Sequence, residues 1–173
     1  MDKENLKLVK TYQYCDEDGN VIYEKLRYEP KTFRQRRAVP DGWSWGLTAD
    51  TRKVLYRLPE VIRSSEIFIT EGEKDADTLV SIGLCATTNS GGGNEPWCGK
   101  DGIPPQWTHA LAGKDVVILP DQDKVGQDRL GDILASIQGI VSSVAVVNVP
   151  RGKDVTDFLT NHNGTPQELN PLE

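Results

Sequence analysis

No apolar run in these 173 residues approaches the roughly 18 that a membrane-crossing helix needs, and no secretory signal pattern stands at the start. No membrane contact is expected. Cysteine is sparse: Cys15, Cys85 and Cys98 are odd in number and scattered. Only His109 and His162 accompany them, and no Cys-x-x-Cys pair is present, so neither structural zinc nor a disulfide framework is expected. A reduced, cytoplasmic setting fits this usage. Two histidines and no nucleophile elbow leave hydrolase triads without support. The glycine-rich stretch Gly91-Gly92-Gly93-Asn94-Glu95-Pro96-Trp97-Cys98-Gly99-Lys100 is a near miss for a phosphate loop. Five residues rather than four separate Gly93 from Gly99, and Asp101 follows the lysine where Ser or Thr belongs. No ATPase motor is encoded, and a mobile loop beside the site is expected there instead. Internal repeats and low-complexity tracts are also missing.

What is present is an ordinary apolar content of 37%, enough for one substantial core and a smaller accessory region. The net charge of −6 is divided unevenly. Residues 1–64 carry 13 Lys/Arg against 10 Asp/Glu, or +3, and residues 65–173 carry 7 against 16, or −9. Six of the 13 basic residues fall within residues 25–37. An acidic portion behind a mildly basic front suits an enzyme acting on polynucleotides, although such a basic cluster also arises by chance.

The front reads as β-rich. Strands are expected over 8–14 and 21–28, joined by the turn Asp16-Glu17-Asp18-Gly19-Asn20 as a hairpin. Lys31-Thr32-Phe33-Arg34-Gln35-Arg36-Arg37 follows, then Pro40-Asp41-Gly42-Trp43-Ser44-Trp45-Gly46, read as a turn with aromatic anchors. The short segment Val54-Leu55-Tyr56-Arg57-Leu58-Pro59 closes the region. From residue 65 strands and helices alternate: strands over 66–70, 84–88, 115–119 and 141–149, and helices over 73–82, 106–112, 126–138 and 154–160. Ala76, Leu79 and Val80 face inward from the first helix. Leu130, Ile133, Leu134 and Ile137 mark the third at i, i+3, i+4 and i+7. Strands separated by helices imply a parallel sheet with right-handed crossovers.

Three acidic clusters follow three of these strands. In Val116-Val117-Ile118-Leu119-Pro120-Asp121-Gln122-Asp123, an apolar strand ends in two aspartates that share a side in extended chain, with Gly126 beyond. In Ile67-Phe68-Ile69-Thr70-Glu71-Gly72, a strand ends in Glu71, and Asp75 lies about one helical turn on, toward the same crevice. Glu73 and Asp77 are read as acids decorating a helix N-terminus, where the dipole favours them. The third cluster, Arg151-Gly152-Lys153-Asp154-Val155-Thr156-Asp157, leaves two readings open. Asp154 caps the last helix with Asp157 in its first turn, or both join the acidic set, with Lys153 and Arg151 suiting an anionic ligand. Ligand sites of open α/β sheets lie at the carboxyl ends of strands. Carboxylates gathered there repel unless a divalent cation sits between them, so magnesium acting on phosphates is the expected chemistry.

The order Glu71-Gly72-x-x-Asp75, a glycine-rich turn after the next strand, Asp121-x-Asp123-x-x-Gly126, then Lys153-Asp154-x-x-Asp157 resembles the Toprim domain of DnaG-type primases, topoisomerases and some nucleases. The resemblance covers about residues 65–160. It looks most like the Toprim proteins of phages and mobile elements, through Tyr56-Arg57-Leu58-Pro59-Glu60-Val61 leading into Glu71-Gly72-Glu73-Lys74-Asp75-Ala76-Asp77. Asp18-Gly19-Asn20-Val21-Ile22-Tyr23 and Arg27 look like the basic, β-rich subdomain that precedes Toprim in primases.

The resemblance implies an α/β fold: a Rossmann-like four-stranded parallel sheet flanked by helices over 65–162, a smaller β-rich subdomain over 1–64, and a tail over 163–173. It implies magnesium or manganese at Glu71, Asp75, Asp121, Asp123, Asp154 and Asp157. Glu71, Asp121 and Asp123 are the catalytic candidates, Glu71 as a general base or acid. Arg27, Lys31, Arg34, Arg36, Arg37, Lys74 and Lys153 would meet nucleic acid or nucleotide phosphates. The implied function is a DNA primase core making short RNA primers on single-stranded DNA from nucleoside triphosphates during phage or mobile-element replication, with a replicative helicase as a further partner. A Toprim-type nuclease and a non-catalytic nucleic-acid-binding module, dependent on a helicase or zinc-bearing partner, are the alternatives. The zinc module of many primases and the tyrosine region of topoisomerases have no counterpart here.

Overall fold

Five consecutive apolar-rich positions in each of two segments decide where the chain goes. In the computed structural model, which describes residues 6–91, 97, 106–169 and 171, Glu66–Thr70 and Asp115–Leu119 are strands β5 and β7 and lie side by side. Side chains alternate across a strand, and here both faces are covered. Ile67, Ile69, Val116 and Ile118 go to one core, while Phe68, Val117 and Leu119 go to the other. A strand buried on both faces reads as a continuous apolar run, as parallel sheets require.

Four strands precede this pair: β1 (Lys7–Cys15), β2 (Val21–Glu29), β3 (Thr32–Val39) and β4 (Gly42–Trp45). They form an antiparallel sheet in sequence order. The β1–β2 turn is set by Asp16, whose carboxylate accepts from the Asp18 and Asn20 amides at 3.0 and 2.8 Å, with Gly19 at φ 88°. Helix α1 (Leu58–Arg63) then leads into β5, and α2 (Glu73–Ser81), β6 (Ala86–Thr87), β7, α3 (Lys124–Ile137), β8 (Ser143–Val146) and α4 (Val155–Asn161) complete the second half. Its sheet runs β6-β5-β7-β8, all parallel. The chain leaves β5 toward β6 on one side and returns to β7 on the other. The carboxyl ends of β5 and β7 therefore flank a topological switch point, where open α/β sheets bind ligands.

The α/β architecture, with a four-stranded parallel sheet flanked by helices and a β-rich front, is as expected. Several details differ. Residues 40–46 are not a turn with aromatic anchors: 42–45 form β4, and Trp43 and Trp45 stand 42% and 59% exposed. Helix α1 begins within the segment expected merely to close the front; Pro59 is tolerated because the first helical turn needs no N–H from it. The strands expected over 84–88 and 141–149 shorten to β6 and β8, both at sheet edges where only one neighbour supplies hydrogen bonds. Helix α3 starts two residues early, with the Asp123 carboxylate accepting from the Gly126 amide at 2.8 Å. The glycine-rich loop beyond Gly91 lies outside the described residues except for Trp97, which is buried against Trp107. Cys98 also falls outside, while Cys15 and Cys85 are free thiols. Among the described residues no helix is long and apolar enough to cross a membrane.

The two sheets meet through tyrosines. Tyr12, Tyr14 and Tyr23 of the antiparallel sheet join Tyr56, Phe68, Ala76 and Leu79 in one core, and Tyr14 stacks on Tyr23 at 4.6 Å. At its centre Glu73, on α2, accepts from the Tyr14 hydroxyl at 2.6 Å and pairs with Lys25 of β2 at 2.9 Å.

Candidate functional site

Register brings the first two acidic clusters together. Thr70 of β5 pairs with Leu119 of β7, so Glu71 and Asp121 emerge one and two residues past the same rung. Gly126 permits the tight return: a Cβ there would collide with the Asp121 carbonyl. Glu71, Asp75, Asp121 and Asp154 line one open cleft of about 760 Å³. Its opposite wall comes from the antiparallel sheet, with Tyr12, Lys25, Arg27, Lys31 and Phe33, while Lys53, Lys74 and Lys153 complete the rim. An acidic floor thus faces a basic wall.

The floor is electrostatically strained. Burial, with the charges of Glu71, Asp75, Asp154 and Asp123, pushes the Asp121 carboxyl up to about 7. Burial also raises Glu71 and Asp75 above the usual carboxylate range. Asp121 and Asp123 lie close enough to bear on the Glu71 carboxyl, and Glu71 Oε2 is buried without a donor. Asp75 is steadied by Thr156, whose amide donates to Oδ1 at 3.0 Å and whose hydroxyl donates to the same oxygen. A cluster of hard oxygen anions, one buried and unpaired, fits a small divalent cation in donor type and charge. Among the described residues, no three Asp, Glu, His or Cys side chains yet close on a single point.

The remaining sequence candidates are placed as follows. Asp123 caps α3 and is exposed rather than lining the cleft. Asp154 lines the cleft and also caps α4, accepting from the Asp157 amide at 2.7 Å and pairing with Lys74 at 3.4 Å; the two readings of that residue coexist. Asp157 turns away, bonded to Asn161 at 2.7 Å and to the Lys153 amide at 3.1 Å, and Asn161 holds its carboxyl below the usual range. Arg27, Lys31, Lys74 and Lys153 line the cleft. Arg34 lies over the Tyr28 ring, Arg36 is bound to Glu24 at 2.6 Å, and Arg37 donates to the Gly46 carbonyl at 3.0 Å. These three are not among the residues lining it.

Three residues escape the sequence reading. Glu73 is no surface decoration but a buried anion held by Tyr14 and Lys25. Their separations of 59 and 48 residues left no local trace. Asp77, read the same way, accepts from Tyr56 at 2.9 Å and pairs with Lys10 at 3.3 Å. Arg129 is the third omission. Only 5% exposed, it donates to the Glu71 carbonyl at 2.6 Å, the Thr88 hydroxyl at 3.0 Å and the Asn89 side-chain carbonyl at 2.8 Å. It ties the ends of β5 and β6 to α3 directly beneath the acids. The signal was available: Arg129 stands with Gly126, Ile133 and Ser136 on the buried stripe of α3.

No protein-family model matches the sequence, and no curated protein matches it. Solved structures do match in fold. The crystal structure of the primase fragment of the bacteriophage T7 primase-helicase protein aligns with TM-score 0.59 and 18% identity, covering 94% of this chain and 64% of that one. The chain thus spans about two thirds of that fragment's length. A second structure contains T7 lagging-strand DNA polymerase with primase domains of two gp4 subunits, bound to an RNA/DNA hybrid and dTTP. It aligns with TM-score 0.59 and 16% identity over 95% of this chain and 80% of that one. The chain shares their fold: a four-stranded parallel sheet flanked by helices, with an antiparallel sheet before it.

Proposed function

We propose that the chain is the catalytic core of a DNA primase, a magnesium- or manganese-dependent nucleotidyltransferase that makes short RNA primers on single-stranded DNA during phage-type replication in the cytoplasm. The observation that carries this reading is the cleft, where Glu71 and Asp121 at a topological switch point face Arg27 and Lys31 across a gap open to a polymer. The fold shared with phage primase fragments supports it. Glu71, Asp121, Asp75 and Asp154 would hold the ion, with Asp123 close enough to add its charge to Asp121. When bound, the ion supplies positive charge against the phosphates of an incoming triphosphate.

The protein's own groups supply the rest. Arg27 and Lys31 hold the backbone of the template strand, and Lys74 and Lys153 flank the triphosphate. With the ion held by Asp121, Asp75 and Asp154 alone, Glu71, raised by burial, would instead take the proton of the attacking 3′-hydroxyl as a general base. Arg129 fixes the backbone from which Glu71 projects.

The test is primer synthesis. Single-stranded templates of varied sequence are incubated with labelled ribonucleotides and magnesium or manganese, beside an Asp121→Ala/Asp123→Ala control. Short products made by the intact protein alone are expected. Equal product from both proteins overturns the reading. Metal-dependent nicking of plasmid without primers would assign the site to the nuclease class, and template binding without any product would assign it to a module that works only with a partner.

A further inference from the structure

The antiparallel sheet has a second face, turned away from the cleft, which the proposed chemistry does not use. Tyr12, Lys25, Arg27 and Phe33 point inward. Their strand neighbours Glu24, Leu26, Tyr28, Arg34 and Arg36 therefore point outward. Arg36 lies 4.4 Å from the Trp43 ring, which places Trp43 on the outer face, and Trp45, two residues on along β4, shares it. These two indoles are 42% and 59% exposed, although burial of a Trp is ordinarily a large source of stability. Arg34 sits over Tyr28 at 5.7 Å in the same arrangement. The face thus alternates aromatic rings with guanidinium groups. Its one buried carboxylate, Glu24, is already paired with Arg36, and Asp41, in the β3–β4 turn, is the nearest acid in sequence to the indoles.

We infer that this outer face binds single-stranded nucleic acid, extending the track of the cleft. Aromatic rings offer stacking to any base, and arginines meet the phosphates between bases without reading sequence. A continuous route joins the two surfaces. Gln35 and Lys53 line both the cleft and a second cavity of about 540 Å³ beside it, and β4 is the free edge of the sheet there. A strand leaving the cleft past Gln35 crosses that edge onto Trp45 and Trp43. The inference rests on the nucleic-acid part of the proposed function but not on its catalytic part.

The experiment compares oligo(dT) of about 6 nucleotides, which fills the cleft alone, with oligo(dT) of about 20, which reaches both surfaces. Affinity and tryptophan fluorescence are read for the intact protein, Trp43→Ala/Trp45→Ala and Trp43→Phe/Trp45→Phe. The expected result is that the longer strand binds about tenfold or more tightly and quenches tryptophan emission, that the alanine variant loses this advantage while binding the short strand unchanged, and that phenylalanine restores part of it. Equal affinity of intact and alanine proteins for the longer strand overturns the inference, as does equal weakening toward both lengths. A change in self-association or polymerase binding with DNA affinity untouched would assign the face to protein and also overturn it. Length-dependent binding without any primer synthesis leaves this face standing while the catalytic reading falls. Failure to bind either strand removes both.

Discussion

Asp121 concentrates the physics of the site. Its carboxyl is raised to about 7 from an ordinary 3.8, so between those values the folded protein holds a proton that the unfolded chain has released. Stability then falls as pH rises through that window. Glu71 and Asp75 are raised as well and act in the same sense. In chelator, the melting temperature should drop by several degrees between about pH 5 and pH 8. Magnesium should raise it most at the upper end, by binding the folded form. Asp121→Asn should flatten the pH profile and raise the melting temperature at pH 8 while abolishing primer synthesis; a profile as steep as the parent's would refute the assignment. Lys25 poses the opposite case. It and Glu73 are 11% and 4% exposed at the side chain, and removing one partner of such a pair leaves a stranded charge. Lys25→Met should cost about 3–5 kcal/mol by denaturant titration. Adding Glu73→Gln should recover most of that, because the Tyr14 hydroxyl then meets a neutral acceptor.

At the scale of elements, the short connection from β7 into α3 sets the site. The Asp121 carbonyl occupies the space a Cβ at Gly126 would need. Gly126→Ala, favourable by helix propensity alone, should therefore destabilise by about 1–3 kcal/mol through overpacking. It should also depress primer synthesis by displacing Asp121, with the far-ultraviolet circular dichroism spectrum unchanged. Much of this level was legible in the sequence. The bounds of β5 and β7 match the expected strands residue for residue, because both faces of each strand are buried and the apolar run ends where the sheet does. The acids at their ends follow from that placement. Edge elements were harder to read. β6 and β8 pair on one side only, so apolar content overstates their length. β4 was missed because its tryptophans suggested a core contact, whereas the side chain that turns partly inward from it is Ser44. The partners of Arg129 and Glu73 were illegible for a different reason, although the place of Arg129 on the buried stripe of α3 could be read. Each is defined by partners at least 40 residues away in the chain, and no local pattern encodes such a meeting.

Across the whole molecule, net charge and site charge point in opposite directions. At −6 the chain as a whole repels polyanions, so the proposed binding of single-stranded DNA would rest on the basic wall and on cations held at the floor. Log affinity for single-stranded DNA should fall linearly with log salt, with a slope of about −0.7 for each phosphate neutralised. Arg27→Ala/Lys31→Ala should reduce that slope by about 1.4 if each meets one phosphate; an unaltered slope would remove them from the interface. The buried pairing of Lys25 and Tyr14 with Glu73 has its own consequence for how such molecules can diversify. The cation and the hydroxyl belong to one sheet, and the anion belongs to a helix of the other half. Exchanging the front sheet for an unrelated one by recombination would leave a carboxylate in an apolar seam with nothing to answer it. The two halves therefore form a matched pair, and grafting a new front onto the parallel-sheet half should require carrying over those two side chains with it.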